Sequence, residues 1–183
     1  MEFYIMQPDA EAVGGFVPLK IPSHRVYGVG IGGDNTGLMF DFFDAAEQCE
    51  LDLEGVMGEF HPGQLELNMK YGPALDAADR AFIAKELTRE LAVRRGYWVT
   101  YMGRPHPELV GSGLHINFSL SPLEGGPNAF DAPDAEYGLS SLARQCLGGL
   151  IAHHEALAAM SAARRASAGA SFGDPDARAA ASG

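Results

Sequence analysis

The sequence predicts an α+β fold in which an antiparallel, partly formed barrel-like sheet is backed by helices. Three observations lead there. The runs "DLEGVMGEF" and "GQLELNM" read as extended pieces joined by an "HPG" bend, three longer segments repeat apolar residues at helical spacing, and the elements do not alternate as regular βαβ units.

Taken in order, "EFYIM" is rich in strand formers, and its start at Met1 leaves nothing before it to complete a sheet partner, so the chain is expected to begin inside a fold. A Gly/Pro-rich stretch follows. In "TGLMFDFFDAAEQCELD", Leu38, Phe42 and Ala46, with Phe43 and Cys49 alongside, recur at helical spacing. In "GQLELNM", Gln64, Glu66 and Asn68 oppose Leu65, Leu67 and Met69, so one strand face is polar and the other apolar. "DAADRAFIAKELTRELAVRRG" is the most helix-like segment: Asp76 is placed to cap it, Ile83, Leu87 and Leu91 fall four apart, Arg94 and Arg95 suit its C-terminal dipole, and Gly96 can end it. "YWVTYM" reads as a strand. "GLHINFSL" alternates Leu114, Ile116 and Phe118 against His115, Asn117 and Ser119 and is predicted to be another. A third helix is expected over "YGLSSLARQCLGGLIAHHEALAAM". The division is then an ordered domain over 1–160 and an Ala/Ser/Gly-rich tail over 161–183 expected to be disordered.

With 183 residues, 46% hydrophobic and 20% charged, the chain suits one domain with a real core. Its 24 acids against 13 Lys plus Arg give a formal charge of -11, which argues against a nucleic-acid or anionic-lipid surface. Small anionic substrates would then need metal ions or local cations. Cys49 and Cys146 show neither CxxC nor Cys/His spacing and read as core thiols in a reducing compartment. With no membrane span or signal peptide legible, the expected location is cytoplasmic.

"GEFHPGQLELN" poses the chemical question, because it sets Glu59 and Glu66 around a bend in an otherwise strand-like stretch. Half-buried carboxylates need a cation or hydrogen bonds. Two acids alone fit an ordinary solvent-facing sheet. Glu2, Glu54 and His115 alter that balance if their strands are sheet neighbours: three carboxylates suit Mg²⁺ or Mn²⁺, and an imidazole favours Mn²⁺ at a second position. Such ions clamp phosphates. "GVGIGG" matches G-x-G-x-x-G at Gly28, Gly30 and Gly33, but no βαβ unit follows, and a flexible loop is the better reading. Adjacent His153 and His154 point about 100° apart on a helix, which disfavours a shared ligand role. Arg104 fits an anion contact or an ordinary surface position equally.

"EFHPGQLELN", "GSGLHINFSL" and the intervening "DAADRAFIAKELTRELAVRRGYWVTYMGRP" together resemble the middle of the glutamine synthetase catalytic domain, in the flavour of the subgroup that includes γ-glutamyl-polyamine synthetases. The resemblance runs from about Glu2 to Met160. It implies that Glu2, Glu59 and Glu66 hold a first divalent ion, that His115 is a ligand of a second, and that Glu54, Asn117 and Ser119 lie by ATP. It also implies that Gly111 belongs to the amino-acid substrate loop and that Tyr27, in "HRVYG", matches a tyrosine of the family's R-x-Y segment. The implied activity is ATP-dependent ligation of glutamate to ammonia or an amine through γ-glutamyl phosphate, with Mg²⁺ or Mn²⁺, in a ring-type homo-oligomer. Two departures set a second expectation. A metal-binding glutamate would precede Glu2, and phosphate-closing arginine segments would follow the third helix; neither is in this sequence. Val110 stands where glutamate-specific members have Asn, which leaves acceptor and amine open. The alternative is therefore a truncated or split-gene product with residual metal binding or subunit association only.

Overall fold

A computed structural model describes residues 1–12 and 14–159. The strands are β1 (Glu2–Pro8), β2 (Phe16–Pro18), β3 (Leu53–Gly58), β4 (Gln64–Met69) and β5 (Trp98–Thr100), and the helices α1 (Leu38–Gln48), α2 (Ala74–Arg94) and α3 (Ser141–Ala152). They fall into two compact units divided after Leu114.

In the first unit β1 is the central strand. Tyr4 pairs with Gln64 of β4 and with Thr100 of β5, and Met6 with Pro18 of β2 and Trp98 of β5. A residue has only two edges, so β5 lines one side of β1 while β4 and then β2 share the other; β3 pairs outside β4. All pairings are antiparallel, and the sheet does not close into a barrel. The α+β class is thus as predicted. The "EFYIM" segment is flanked on both sides by strands that follow it in the chain, and the three-residue β2 is an element the sequence pattern did not reveal.

The register sorts the two faces. Phe3, Ile5, Leu65, Leu67 and Val56 point into one core with Leu38, Met39, Phe42 and Ala46 of α1 and Ala84, Leu91 and Ala92 of α2. The opposite face carries Glu2, Tyr4, Gln64, Glu66 and Asn68, as the alternation in "GQLELNM" predicts. Burying the apolar face contributes roughly 25 cal/mol per Å² of apolar surface removed from water, which is what holds a mostly polar opposite face in position.

Helix α1 starts where Asp34 accepts the backbone N–H of Thr36 at 2.7 Å and of Met39 at 2.8 Å, satisfying donors that a helix start leaves open. Cys49 is exposed just past its end and Cys146 is only half-buried. Neither is a core thiol: α1 turns Leu38, Phe42 and Ala46 inward and Cys49 follows as its C-cap, while α3, which holds Cys146, buries only Ala143. Helix α2 begins at Ala74 behind Pro73, so Asp76 lies inside the first turn and does not cap it; there it still favours the helix dipole. Its end follows the expected pattern, with Arg94 in the last turn and Gly96 at φ 77°.

The second unit begins at His115. "GLHINFSL" forms no strand: residues 111–120 have no regular structure, and Leu114, Ile116, Phe118 and Leu120 are exposed. Alternation alone makes no strand without a neighbour to complete its ladder. Further on, Asp131 bridges to Leu139, and Ser140 caps α3 by accepting the N–H of Ala143 at 3.1 Å while donating to Ala129 at 2.7 Å. Helix α3 is shorter than predicted and buries only Ala143, although helical backbone resumes over 154–159. The predicted tail over 161–183 lies outside the described residues.

Candidate metal and substrate site

The site is built on the polar face of β1 and β4. Glu2 and Glu66 are direct cross-strand partners. Met1 N donates to Leu67 O at 2.8 Å and Leu67 N to Met1 O at 2.9 Å, which makes Met1 and Leu67 a hydrogen-bonded pair. The next pair along, Glu2 and Glu66, is therefore of the non-hydrogen-bonded kind, in which facing side chains are closest.

Glu59 joins them from the β3–β4 hairpin. Its N–H donates to Gln64 O at 2.8 Å, and Gln64 N to His61 O at 2.9 Å. The bend depends on Gly63, whose φ is 80° and whose Cβ would lie 2.8 Å from both Leu19 N and Leu19 O. "GVGIGG" packs behind this hairpin and is not a free loop: it contains a single 3₁₀ turn, and Gly58 N donates to Gly28 O at 2.6 Å. A Cβ on Gly33 would sit 2.5 Å from Gly28 O and 2.9 Å from Gly58 N, so backbone meets backbone there.

A loop over 103–113 covers the Glu2 end of the face. Ser112 N donates to Gly103 O at 2.7 Å, Arg104 Nε to Leu109 O at 3.1 Å and Tyr4 Oη to Val110 O at 2.8 Å. Glu2 Oε2 accepts Gly113 N at 2.8 Å and Gln64 Nε2 at 3.2 Å. Gln64 Nε2 also reaches Gly111 O at 3.1 Å. Glu2, only 8% exposed, is thus a buried carboxylate with its donors supplied.

The electrostatics record three acids in one place. Burial pushes the Glu59 carboxyl above the ordinary glutamate value of 4.5; the Phe60 N–H opposes this, while the Glu2 and Glu66 charges and a hydrogen bond with Glu66 add to it. Tyr4 is pushed up to about 12, first by burial and then by the Glu2 and Glu59 charges, against a smaller opposing effect of Arg104. The donor set, three carboxylates with oxygen ligands only, fits a hard divalent ion. Among the described residues no three His, Cys, Asp or Glu side chains already converge as a cage. Glu2 Oε2 is engaged by Gly113 and Gln64, and Glu59 Oε2 accepts Phe60 N at 2.6 Å.

Of the residues singled out from sequence, Glu2 and Glu66 are cross-strand partners, Glu59 lies on the adjoining hairpin and Gly111 on the loop over the Glu2 end, all in the first unit. Glu54 is exposed on β3, at the bulge between Leu53 and Gly55. Tyr27 is 64% exposed at φ 58° in the loop before Gly28. His115, Asn117 and Ser119 belong to the second unit, exposed and without regular structure. Tyr4, the side-chain contacts of Gln64, and Ser112 were missed. A period-2 pattern announces which face Gln64 occupies and not what it bonds across 47 positions.

A family model described as "Glutamine synthetase, catalytic domain" matches residues 1–168. The chain belongs to the glutamine synthetase family. It is 32% identical over 168 residues to a glutamine synthetase of Rhizobium meliloti (strain 1021), covering 87% of this chain and 36% of that one. It is 40% identical over 100 residues to a glutamate–isopropylamine ligase of a Pseudomonas species, covering 55% of this chain and 22% of the relative. Among solved structures, one titled as a novel glutamine synthase homolog superposes with a TM-score of 0.72 at 25% identity over 86% of this chain and 34% of its own. One titled as a GmaS/ADP complex does so with a TM-score of 0.66 at 29% identity over 86% of this chain and 36% of its own. The chain thus spans about a third of the length of these glutamine synthetase relatives. Ligases joining an amine or ammonia are the activity class of this family.

Proposed function

We propose that this chain supplies the metal-holding part of an ATP-dependent carboxylate–amine ligase site. The observation that carries the reading is the cross-strand pairing of Glu2 and Glu66 beside the hairpin that carries Glu59, whose carboxyl is pushed upward by burial and by the charges of the other two acids. In this reading the three glutamates hold Mg²⁺ or Mn²⁺, which when bound neutralises nucleotide phosphates. His115 serves a second ion, Glu54, Asn117 and Ser119 the nucleotide, and Gly111 and Tyr27 the amino acid. The glutamate γ-carboxylate oxygen attacks the terminal phosphorus of ATP and ADP leaves; the amine nitrogen then attacks the acyl carbon, phosphate leaves, and the nitrogen loses a proton. Such phosphoryl transfer depends on positioning and charge neutralisation more than on a protein nucleophile, in keeping with a site made of acids, amides and a pinned loop. The relatives named for ammonia-type and isopropylamine-type ligation support a small amine or ammonia as the second substrate.

A second reading keeps the metal site and removes turnover by the chain alone. It is favoured by the exposure of Leu142, Leu147, Leu150 and Ile151 on α3, a surface suited to covering by other polypeptide, including further copies in a ring-type homo-oligomer. One assay separates the readings: ADP release from ATP with Mg²⁺ or Mn²⁺, glutamate, and ammonia or isopropylamine. Release above the level of a Glu59→Ala, Glu66→Ala control supports the ligase. Release no higher than that control, with Mn²⁺ still bound, leaves only the second reading.

A further inference from the structure

Gln64 touches the Glu2 carboxylate, the hairpin that carries Glu59 and the loop over 109–113. It is 0% exposed. Its main chain closes the hairpin that carries Glu59, through Glu59 N to Gln64 O at 2.8 Å and Gln64 N to His61 O at 2.9 Å. Its Oε1 accepts His61 N at 3.3 Å. Its Nε2 faces three acceptors: Glu2 Oε2 at 3.2 Å, Gly111 O at 3.1 Å and Ser112 Oγ at 3.5 Å. A primary amide has two N–H groups, so all three acceptors cannot be served by separate N–H bonds, and Ser112, the farthest, is the one left short.

We propose that Gln64 is a positioning residue that couples cation binding at Glu2, Glu59 and Glu66 to the order of the 109–113 loop. The proposal rests on the cation site put forward above. A cation that draws on Glu2 Oε2 weakens that oxygen as an acceptor. The released N–H then goes to Ser112 Oγ, and the amide grips the loop through Gly111 and Ser112 together. Coupling of this kind is reciprocal, so whatever orders the loop also tightens the cation. An apolar side chain at position 64 would fill the space yet break the connection.

The test uses Mn²⁺ alone as the probe. Binding is followed by the loss of the free-ion paramagnetic resonance signal, and the loop by hydrogen–deuterium exchange of peptides covering 109–113, in the wild type, Gln64→Met and Ser112→Ala. The expected result is slower loop exchange in the wild type on Mn²⁺ binding, by about fivefold or more, the lower end of ordinary coupling. In Gln64→Met the response disappears while Mn²⁺ binds about tenfold more weakly, the usual size of an outer-shell effect. Ser112→Ala retains Mn²⁺ binding with a reduced loop response, and carries the test if Gln64→Met does not fold. Wild-type Mn²⁺ binding without any change in loop exchange, or an undiminished response in the variants, overturns the coupling and leaves the cation site standing. Absence of Mn²⁺ binding to the wild type overturns the cation site itself, and the coupling with it.

Discussion

Replacing Glu66 by Gln should stabilise the protein without metal and abolish its stabilisation by metal. Glu2 and Glu66 form a non-hydrogen-bonded cross-strand pair, inferred from the reciprocal bonds of Met1 and Leu67. Like charges placed directly opposite on a sheet are destabilising by roughly 0.2–1 kcal/mol, and the upper end of that range applies to a pair that includes the buried Glu2. A glutamine keeps the shape and can donate to Glu59. At roughly 3 °C per kcal/mol for a domain of this size, melting in EDTA should rise by about 2–3 °C. For the wild type, Mn²⁺ at a hundredfold excess over its Kd adds about 2.7 kcal/mol, or roughly 8 °C, and this increment should vanish in Glu66→Gln. Melting followed by circular dichroism, in EDTA and in Mn²⁺, reads both effects. A variant that melts lower in EDTA and keeps the full Mn²⁺ increment would refute the reasoning.

Further outcomes follow from the same geometry. Because the folded-state pKa of Glu59 is raised, the folded protein binds more protons than the unfolded chain at and above pH 4.5. Stability in EDTA should therefore fall as pH rises from 4.5 through the raised value, and urea midpoints measured across that range should lose this slope in Glu59→Gln. Tyr4→Phe leaves the Val110 carbonyl without its donor and should cost about 1–3 kcal/mol, read as a lower urea midpoint, with faster amide exchange over 109–113. Gly33→Ala forces a methyl to 2.5 Å from Gly28 O. It should destabilise by about 1–3 kcal/mol in the same titration, whereas Gly55→Ala, with open space around it, should cost less.

What could be read in advance divides along physical lines. Leu65, Leu67 and Met69 against Gln64, Glu66 and Asn68 were legible because a strand with one buried face must alternate, and the same rule placed Glu66 on the side where Glu2 lies. The end of α2 was legible because Arg94 and Gly96 act within one turn. Its start was not, because Pro73 and Asp76 are both plausible openings and the choice depends on where β4 releases the chain. "GLHINFSL" shows the limit of alternation, since the pattern says which side chains share a face and nothing about a partner strand. Cys49 sits at helical spacing from Phe42, yet α1 ends at Gln48 and Cys49 follows it as the C-cap. Among the site residues, whether Glu2 meets Glu66 turned on their strands being sheet neighbours, for no local rule joins positions 2 and 66. The contacts of Tyr4 and Gln64 with Val110, Gly111 and Ser112 are of the same long-range kind.

The cation site is tested most directly by diffraction from crystals grown or soaked with Mn²⁺, using the anomalous signal of manganese to locate the ion. The account expects an anomalous peak bounded by carboxylate oxygens of Glu2, Glu59 and Glu66, about 2.2 Å from each, as hard-ion coordination by oxygen requires. Peaks found only at other acids, with none bounded by Glu2, Glu59 and Glu66, would contradict it.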